Sequence, residues 1–239
     1  MFLKPSQAMI LAAGFGKRML PITSKTPKPL VVINRKPILQ HIIEKIICVG
    51  INEIIINSHH LSKKINFFLD SKDYKSIKVS YEKDILETGG GVSEAIKRKF
   101  IGNKGPFFII NGDIFWLEDE SSIFSKLTKY WDEGLMDILL VLVKKQSLFG
   151  YQGNGDFSFL ESGERFGKIT NINAKKEFVY TGVQLLNPKV FEYHKEKKFS
   201  LGKVFNRAIE NKTLYGLEDN ARWFHIGTVE SLEKINRLI

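Results

Sequence analysis

The sequence contains little that would suit a secreted or membrane-bound protein. Cys48 is its one cysteine, so no intramolecular disulfide can form and a reducing compartment is predicted. Cys48 lies in an apolar helical pattern, and we expect it to be a small buried side chain. No apolar run approaches the roughly 18 residues of a membrane span, and residues 1–7 lack the apolar core of a secretory signal. These absences predict a cytoplasmic protein with no membrane partner.

Arginine is scarce relative to lysine, and this affects how the formal net charge of +10 is interpreted. Lysine supplies 29 of the 36 basic residues and is spread over most of the chain. Surfaces that bind nucleic acid usually concentrate arginine and aromatic side chains on one face. We therefore predict no nucleic-acid partner and keep nucleic-acid binding only as an alternative that rests on charge. The charge still favours acidic ligands.

Two familiar phosphate-binding motifs are also missing, although glycines follow the first apolar run. The dinucleotide fingerprint G-x-G-x-x-G fails because Met19 stands at the third glycine and Pro21 follows. The P-loop pattern G-x-x-x-x-G-K-[ST] fails because Leu11 and Arg18 occupy positions that need Gly and Ser or Thr. The chain is therefore predicted to be neither a Rossmann dehydrogenase nor a Walker-type ATPase.

Residues 9–30 nevertheless predict a strand followed by a loop that is suited to bind a polyphosphate. The apolar run 9–13 predicts a buried strand, and Gly14 and Gly16 allow the backbone to turn with φ > 0. Lys28 lies between two prolines, which hold the chain extended. A loop of backbone N–H groups followed by concentrated positive charge suits a polyphosphate. The cations, with no carboxylate among them, are Lys17, Arg18, Lys25 and Lys28.

Apolar runs and helical repeats alternate along the rest of the chain. The patterns predict strands at 30–33, 53–57, 77–81, 106–111, 137–144, 178–186, 213–217 and 223–226. They predict helices at 37–50, 62–69 (capped by Ser62), 93–100, 123–134, from 188, after Ser200 and at 229–238, with a second glycine loop at 87–92. Unbroken apolar strands between helices predict an α/β, Rossmann-like three-layer fold, a mostly parallel sheet with helices on both faces. Short alternating segments such as 156–160 predict a small antiparallel extension.

Three loops should meet at the carboxyl edge of such a sheet, where ligands collect in open α/β folds. They are residues 14–28, 87–91 and 111–113. Asp113 ends a buried strand beside a glycine, opposite the cationic loop, so its carboxylate is a candidate Mg²⁺ ligand. An aspartate that caps a helix or forms a turn is the plainer alternative.

The first of these loops resembles the signature of the sugar-nucleotidyltransferase family, a strand followed by G-x-G-x-R-[ML]-x-P-[LI]-T and then P-K-P-[LM]. The matching positions are Gly14, Gly16, Arg18, Met19, Pro21, Thr23, Pro27, Lys28, Pro29 and Leu30. The sequence contains no internal repeat, low-complexity tract or linker, so we predict one domain over residues 1–239. The resemblance extends from Met9 to the last helix and implies a nucleotide-binding half (1–145) and a sugar-phosphate-binding half (146–239). It also implies a nucleoside triphosphate and a sugar 1-phosphate as substrates, and Mg²⁺ as cofactor with Mn²⁺ as an alternative.

The same resemblance assigns roles to individual residues. Arg18 would hold the β- and γ-phosphates, Lys28 the phosphate at the reacting centre, and Asp113 the metal; these form the catalytic set. The nucleotide-binding residues would be Leu11, Ala12, Ala13, Gly14, Gly16, Lys17, Thr88, Gly89 and Gly90. The sugar-binding residues would be Glu87, Asn111, Thr181 and Gly182.

One position departs from the family pattern. The family commonly has the motif W-x-D-[IV]-G-T, whose aspartate is a second metal ligand. Residues 223–228 correspond to this motif, and His225 occupies the position of that aspartate. Imidazole is a poor ligand for Mg²⁺ and suits Mn²⁺ better. His225 is therefore a metal ligand, a hydrogen-bond donor to phosphate or water, or a structural residue. A catalytically silent protein that binds nucleotide-sugars stays an alternative.

Two segments indicate which enzymes of the family the chain resembles most. Residues 87–91 and 180–184 are most similar to N-acetylmuramate-1-phosphate uridylyltransferases of cell-wall recycling, with mannose-1-phosphate guanylyltransferases second. The first similarity implies UTP and N-acetylmuramate 1-phosphate as substrates.

Overall fold

The structure, a computed structural model, describes residues 4–74, 76–102, 105–172 and 174–239. The first three residues of segment 1–7, which was considered above as a possible secretory signal, lie outside these ranges. The strands are β1 (Gln7–Leu11), β2 (Val32–Ile33), β3 (Lys36–Pro37), β4 (Glu53–Ser58), β5 (Lys78–Tyr81), β6 (Phe107–Asn111), β7 (Ile114–Leu117), β8 (Ile138–Lys144), β9 (Ser158–Phe159), β10 (Phe166–Thr170), β11 (Phe178–Leu186), β12 (Leu214–Glu218) and β13 (Arg222–His225). The helices are α1 (Ile22–Lys25), α2 (Ile38–Cys48), α3 (Ser62–Ser71), α4 (Glu87–Lys97), α5 (Ile123–Tyr130), α6 (Leu201–Glu210) and α7 (Val229–Leu238). Short 3₁₀ turns span Lys17–Met19, Lys28–Leu30, Lys145–Ser147 and Pro188–Phe191.

A nine-stranded mixed sheet forms the centre of the molecule, in the order β5-β4-β1-β6-β11-β8-β12-β10-β9. Strands β5, β4, β1 and β6 are parallel neighbours, and β12 pairs with β8 in parallel. Strand β11 is antiparallel to both β6 and β8, and β9 and β10 form an antiparallel extension at the far edge. The predicted α/β fold with a mostly parallel sheet is confirmed.

Buried side chains alternate between two hydrophobic clusters, one on each face of the sheet. In β1, Ala8 and Ile10 belong to one cluster and Met9 to the other. Helices α2, α3, α5 and α7 cover the first face, and α4 and α6 cover the second. Because both faces are covered, the central strands are apolar throughout, which is the pattern visible in the sequence.

The second glycine loop predicted from the sequence is wrong, because α4 already begins at Glu87. A Cβ atom at Gly89 would lie 2.5 Å from the ring of Phe199, and one at Gly90 would lie 2.5 Å from the carbonyl oxygen of Lys197. The backbone N–H of Gly90 donates to the carbonyl of Phe199 at 2.9 Å. These glycines therefore allow the segment before α6 to approach the helix, a requirement that a sequence pattern does not distinguish from a turn.

Four smaller expectations also need correction. Cys48 is exposed, because it ends α2 on the side away from the isoleucines that the helix buries. Ser62 does not cap α3 but begins it, and its hydroxyl pairs with that of Ser58 at 2.9 Å. Gly16 takes φ +64, whereas Gly14 is not among the glycines of positive φ. The helix predicted at 123–134 ends at Tyr130.

Among the described residues, no helix combines the length and the apolar character needed to cross a bilayer.

Candidate active site

A cavity of about 600 Å³ opens at the carboxyl edge of the parallel strands. Its walls come from the three parts of the chain that were predicted to meet there, namely the segment after β1, the end of β6 and residues 87–88, which begin α4 instead of forming a loop. The predicted residues that line it are Leu11, Ala12, Ala13, Gly14, Gly16, Lys17, Arg18, Lys28, Glu87, Thr88, Asn111 and Asp113. Sequence reasoning missed Asn57, Glu82, Ile85 and Ser200, which also line it. We call it the larger cavity.

The turn at Gly16 is built by Thr23. The Thr23 hydroxyl donates to the carbonyl of Gly16 at 2.9 Å, and a Cβ atom at Gly16 would lie 2.8 Å from the Thr23 methyl carbon. Gly16 also has positive φ, so this position requires glycine for both conformation and space. The closed turn directs Lys17 and Arg18 into the larger cavity.

Lys28 is held at the floor of the same cavity. Its ammonium lies 2.7 Å from Oδ2 of Asp113, and its side chain is 10% exposed while that of Asp113 is 41% exposed. Lys28 begins a 3₁₀ turn that follows Pro27 and includes Pro29, so its backbone has little freedom. The cation is therefore fixed in place before a ligand arrives, and one carboxylate oxygen of Asp113 is directed toward it.

A smaller cavity of about 240 Å³ adjoins the first. Arg18, Asn111 and Asp113 line both cavities. The rest of the smaller wall comes from β7, β11, β13 and the segment that precedes β9; its polar members include Tyr151, Asp156, Tyr180, Thr181 and His225.

Gly182 lies behind this wall rather than in it. It takes φ +94 where the pairing of β11 with β8 is interrupted, and a Cβ atom there would lie 2.8 Å from the amide nitrogen of Asn111. The glycine thus allows β11 to approach the end of β6, which brings Thr181 beside Asn111 at the cavity.

Asp156 is a carboxylate in the smaller cavity that the sequence analysis did not select. Its Oδ2 accepts the backbone N–H of Tyr180 at 2.9 Å. Burial raises the pKa of Asp156, while the Tyr180 N–H and the charge of Lys176 oppose the shift. Its one sequence signal, an aspartate after glycine in a hairpin segment, is typical of turns.

His225 lies at the end of β13, where the charges of Lys28, Arg18 and Asp113 act on its imidazole. A Cβ atom at Gly227 would lie 2.7 Å from Nε2 of His225 and 3.7 Å from Nη1 of Arg18, so the glycine leaves room for both side chains. Burial lowers the pKa of His225, and the positive charges of Lys28 and Arg18 lower it further, against an opposing effect of Asp113. The imidazole is therefore neutral at pH 7.

The residues present fit a hard divalent cation only with help from a substrate. No group of three or more His, Cys, Asp or Glu side chains forms a cation cage within the described ranges. Mg²⁺ commonly keeps several waters and binds through one or two carboxylates together with substrate phosphates. Asp113, half exposed at the junction of the cavities, suits that mode of binding.

Two of the predicted nucleotide-binding residues are placed away from the cavity. Gly89 and Gly90 lie inside α4, against residues 197–199. Thr88 lines the cavity, yet its hydroxyl accepts the backbone N–H of Leu201 at 2.9 Å, so it also joins α4 to α6.

Residues 7–239 match the family model described as nucleotidyl transferase. The chain belongs to this family. The resemblance drawn from the first glycine loop is thereby confirmed.

The similarity to known proteins covers nearly the whole of this chain. It is 28% identical over 228 residues to the N-acetylmuramate alpha-1-phosphate uridylyltransferase of Caulobacter vibrioides, covering 93% of this chain and 92% of that protein. It is 27% identical to the mannose-1-phosphate guanylyltransferase catalytic subunit beta of Dictyostelium discoideum, covering 92% of this chain and 61% of that protein. The structure of the inositol-1-phosphate CTP transferase from T. maritima superposes with a TM-score of 0.75 at 18% identity, over 98% of each chain, which shows a shared fold.

Proposed function

We propose that this nucleotidyl transferase joins a nucleoside triphosphate to a sugar 1-phosphate, with release of pyrophosphate. The observation that carries the proposal is the pair of adjoining cavities with Arg18, Asn111 and Asp113 in the wall of each. Two substrates bound side by side would meet at these residues. The larger cavity has the size of a typical small-molecule site. We assign the triphosphate to it and the sugar 1-phosphate to the smaller one.

The chemistry requires positioning and charge neutralisation rather than proton transfer. A phosphate oxygen of the sugar 1-phosphate attacks the α-phosphorus, the new P–O bond forms in line with the bond that breaks, and pyrophosphate leaves. The nucleophile is already an anion at neutral pH, so no general base is needed. Lys28, fixed at the floor, would stabilise charge that develops at the α-phosphoryl group, and Arg18 would hold the leaving phosphates.

Asp113 is the residue we propose for holding Mg²⁺ or Mn²⁺ with the substrate phosphates. A cation bound there would supply further neutralisation of the phosphate charge. His225, neutral and beside Arg18, would contribute a weaker ligand or a hydrogen bond to phosphate or water. The division of the chain into a nucleotide-binding half (1–145) and a sugar-phosphate-binding half (146–239) belongs to the same proposal.

For the substrates we propose UTP and N-acetylmuramate 1-phosphate. The similarity to the Caulobacter vibrioides uridylyltransferase supports this choice, since it covers nearly all of both chains. Segments 87–91 and 180–184, which resemble that group of enzymes, each contribute their first two residues to a cavity wall. The guanylyltransferase relative supports GTP and mannose 1-phosphate as the second candidate pair.

Pyrophosphate release tests the proposal directly. UTP, GTP, dTTP and CTP would each be combined with N-acetylmuramate, mannose, glucose and N-acetylglucosamine 1-phosphates in the presence of Mg²⁺ or Mn²⁺. Asp113→Asn should abolish release, whereas Lys195→Ala, which alters an exposed lysine, should not change it. Release with GTP and mannose 1-phosphate would keep the reaction and overturn the substrates.

A silent binding protein is the alternative that His225 supports. In that case no pair would release pyrophosphate with either metal, although nucleotide or nucleotide-sugar would still bind in a calorimetric titration. That combination of results would replace the enzymatic proposal.

A further inference from the structure

We propose that Asn57 and Glu82 are positioning residues which join the two walls of the larger cavity through one buried polar relay. Asn57 is the penultimate residue of β4, and Glu82 immediately follows β5. The relay consists of three hydrogen bonds. Asn57 Oδ1 accepts the backbone N–H of Ala12 at 2.7 Å, Glu82 Oε1 accepts from Asn57 Nδ2 at 2.7 Å, and Glu82 Oε2 accepts the backbone N–H of Leu86 at 3.0 Å. The inference rests on the proposed function, because it concerns nucleotide binding in that cavity.

The two side chains of the relay are almost completely buried. Asn57 is 2% exposed and Glu82 is 1% exposed, although both lie in the wall of the larger cavity. A carboxylate is costly to bury, and it is tolerated only when its oxygens accept hydrogen bonds. Apolar side chains would avoid this cost but would leave the backbone N–H groups of Ala12 and Leu86 without these acceptors, so the carboxylate indicates a requirement for acceptors at this position.

The direction of the relay is fixed by its ends. The backbone N–H groups of Ala12 and Leu86 can only donate. Asn57 must therefore present its oxygen to Ala12, which leaves its NH₂ group facing Glu82. Position 82 then faces two donors and needs two acceptors. A carboxylate supplies both, whereas a glutamine would supply one and place its own NH₂ group against a donor.

Gly91 shows that α4 is shaped around this relay. A Cβ atom at Gly91 would lie 2.5 Å from Oε1 of Glu82 and 2.7 Å from Nδ2 of Asn57. The third glycine of the 89–91 run thus has a reason different from that of the first two, which face residues 197–199.

The relay connects the segments from which both walls of the larger cavity are built. Ala12 belongs to the loop after β1, and Leu86 immediately precedes Glu87 and Thr88 at the start of α4. Holding the two backbone groups to one rigid pair fixes the separation of the walls. The smaller cavity has neither residue in its wall. Loss of the relay should therefore weaken nucleotide binding and leave binding of the sugar 1-phosphate unchanged.

A reversal of the relay's polarity provides the test. Asn57→Asp places two carboxylates against each other, and Glu82→Gln leaves a donor facing a donor. In the double variant N57D/E82Q the new aspartate accepts from Ala12 and from the new glutamine's NH₂ group, while that glutamine's oxygen accepts from Leu86. Every group is again satisfied, and the summed charge of the pair is unchanged.

We expect each single variant to raise the KM for the nucleoside triphosphate roughly tenfold and the double variant to recover most of that loss. The KM for the sugar 1-phosphate should stay within about twofold in all three, a division that a general loss of stability would not produce. The relay would be overturned if the KM of the double variant for the nucleoside triphosphate rose by the product of the two single increases. It would also be overturned if both KM values changed equally, or if the single variants were unaffected.

Nucleotide binding keeps this test separate from the test of the enzymatic function. The Kd of the triphosphate that binds the unaltered chain most tightly would be measured by calorimetry for all four proteins. If the unaltered chain releases no pyrophosphate, the proposed function fails, yet the same pattern of loss and recovery in Kd still supports the relay. Where a single variant does not fold, a folded double variant with normal Kd supports it, and an unfolded double variant overturns it.

Discussion

The ammonium of Lys28 lies 2.7 Å from the carboxylate of Asp113, across 85 positions of sequence and at the junction of the two cavities. The pair gives each group a defined place before substrate binds. It also means that a phosphate entering the site finds a buried cation whose position is already fixed, which is the condition for electrostatic catalysis.

Replacement of Lys28 should therefore affect the rate more than binding. We expect Lys28→Ala to lower kcat by roughly a hundredfold or more, because preorganised charge at the reacting phosphate is lost. Lys28→Arg keeps the charge, but its planar fork does not fit a point-charge position, and it should recover only part of the rate. Initial-rate measurements check this, with Lys195→Ala as the control. An unchanged kcat with a raised KM would assign Lys28 to binding alone.

Asp156 should act on the sugar substrate. Asp156→Asn keeps an oxygen that can accept the Tyr180 N–H, but removes one acceptor that faces the smaller cavity. We expect the KM for the sugar 1-phosphate to rise about tenfold, the cost of losing one hydrogen bond to a charged group. The KM for the nucleoside triphosphate should not change. Equal increases in both would contradict the assignment of the cavities.

Two helical glycines should respond to alanine with opposite signs. Gly91→Ala introduces a Cβ atom 2.5 Å from Glu82 in α4 and should destabilise the protein by about 1–3 kcal/mol, as overpacking does. Gly202→Ala in the exposed face of α6 meets only the Ser200 hydroxyl, at 3.4 Å, and should stabilise the protein by about 0.4–1 kcal/mol. Urea denaturation measures both changes. A Gly91→Ala variant as stable as the unaltered chain would mean that the relay is not closely packed.

The stability of the protein should depend on pH through Glu82. Burial raises the pKa of Glu82, although the hydrogen bonds from Leu86 and Asn57 oppose the shift. Between the ordinary and the raised pKa, the folded protein holds a proton that the unfolded chain has released. The free energy of unfolding contributed by this group is therefore greatest below the ordinary pKa and falls as pH rises through the raised one. Glu82→Gln should remove this contribution to the pH dependence of the free energy of unfolding, measured by urea denaturation from about pH 4 to pH 7.

The residues that could be predicted from the sequence are those whose position in the chain determines their place in the fold. A buried parallel strand delivers the residues after it to the carboxyl edge, so loops 14–28 and 111–113 were predicted to meet there from the order of the strands. Asn57 and Glu82 also lie at the carboxyl ends of strands, β4 and β5 respectively, yet they were missed. Their role depends on a partner 25 positions away, and that pairing exists only once β4 and β5 lie side by side.

Glycine was the least reliable signal in the chain. Gly16 has the positive φ that a turn requires, whereas Gly89, Gly90 and Gly91 lie in a helix and accommodate neighbours. A single sequence shows only that glycine occupies a position. Whether conformation or space is the reason depends on contacts with residues 197–199 and 82, which no local pattern contains.

His225, at the position where the resemblance predicts an aspartate, leads to a final prediction about the metal. His225→Asp would place a second carboxylate near Asp113, within the positive field of Lys28 and Arg18 that already acts on this position. Mg²⁺ prefers carboxylate oxygen to imidazole nitrogen, so the variant should need a lower Mg²⁺ concentration for half-maximal activity. Any advantage of Mn²⁺ over Mg²⁺ in the unaltered chain should shrink. Titrations of activity with each metal measure both effects, and His225→Asn, which adds no charge, is the matched control. If His225→Asp changes neither titration, position 225 lies outside the metal's reach and the imidazole has a structural role.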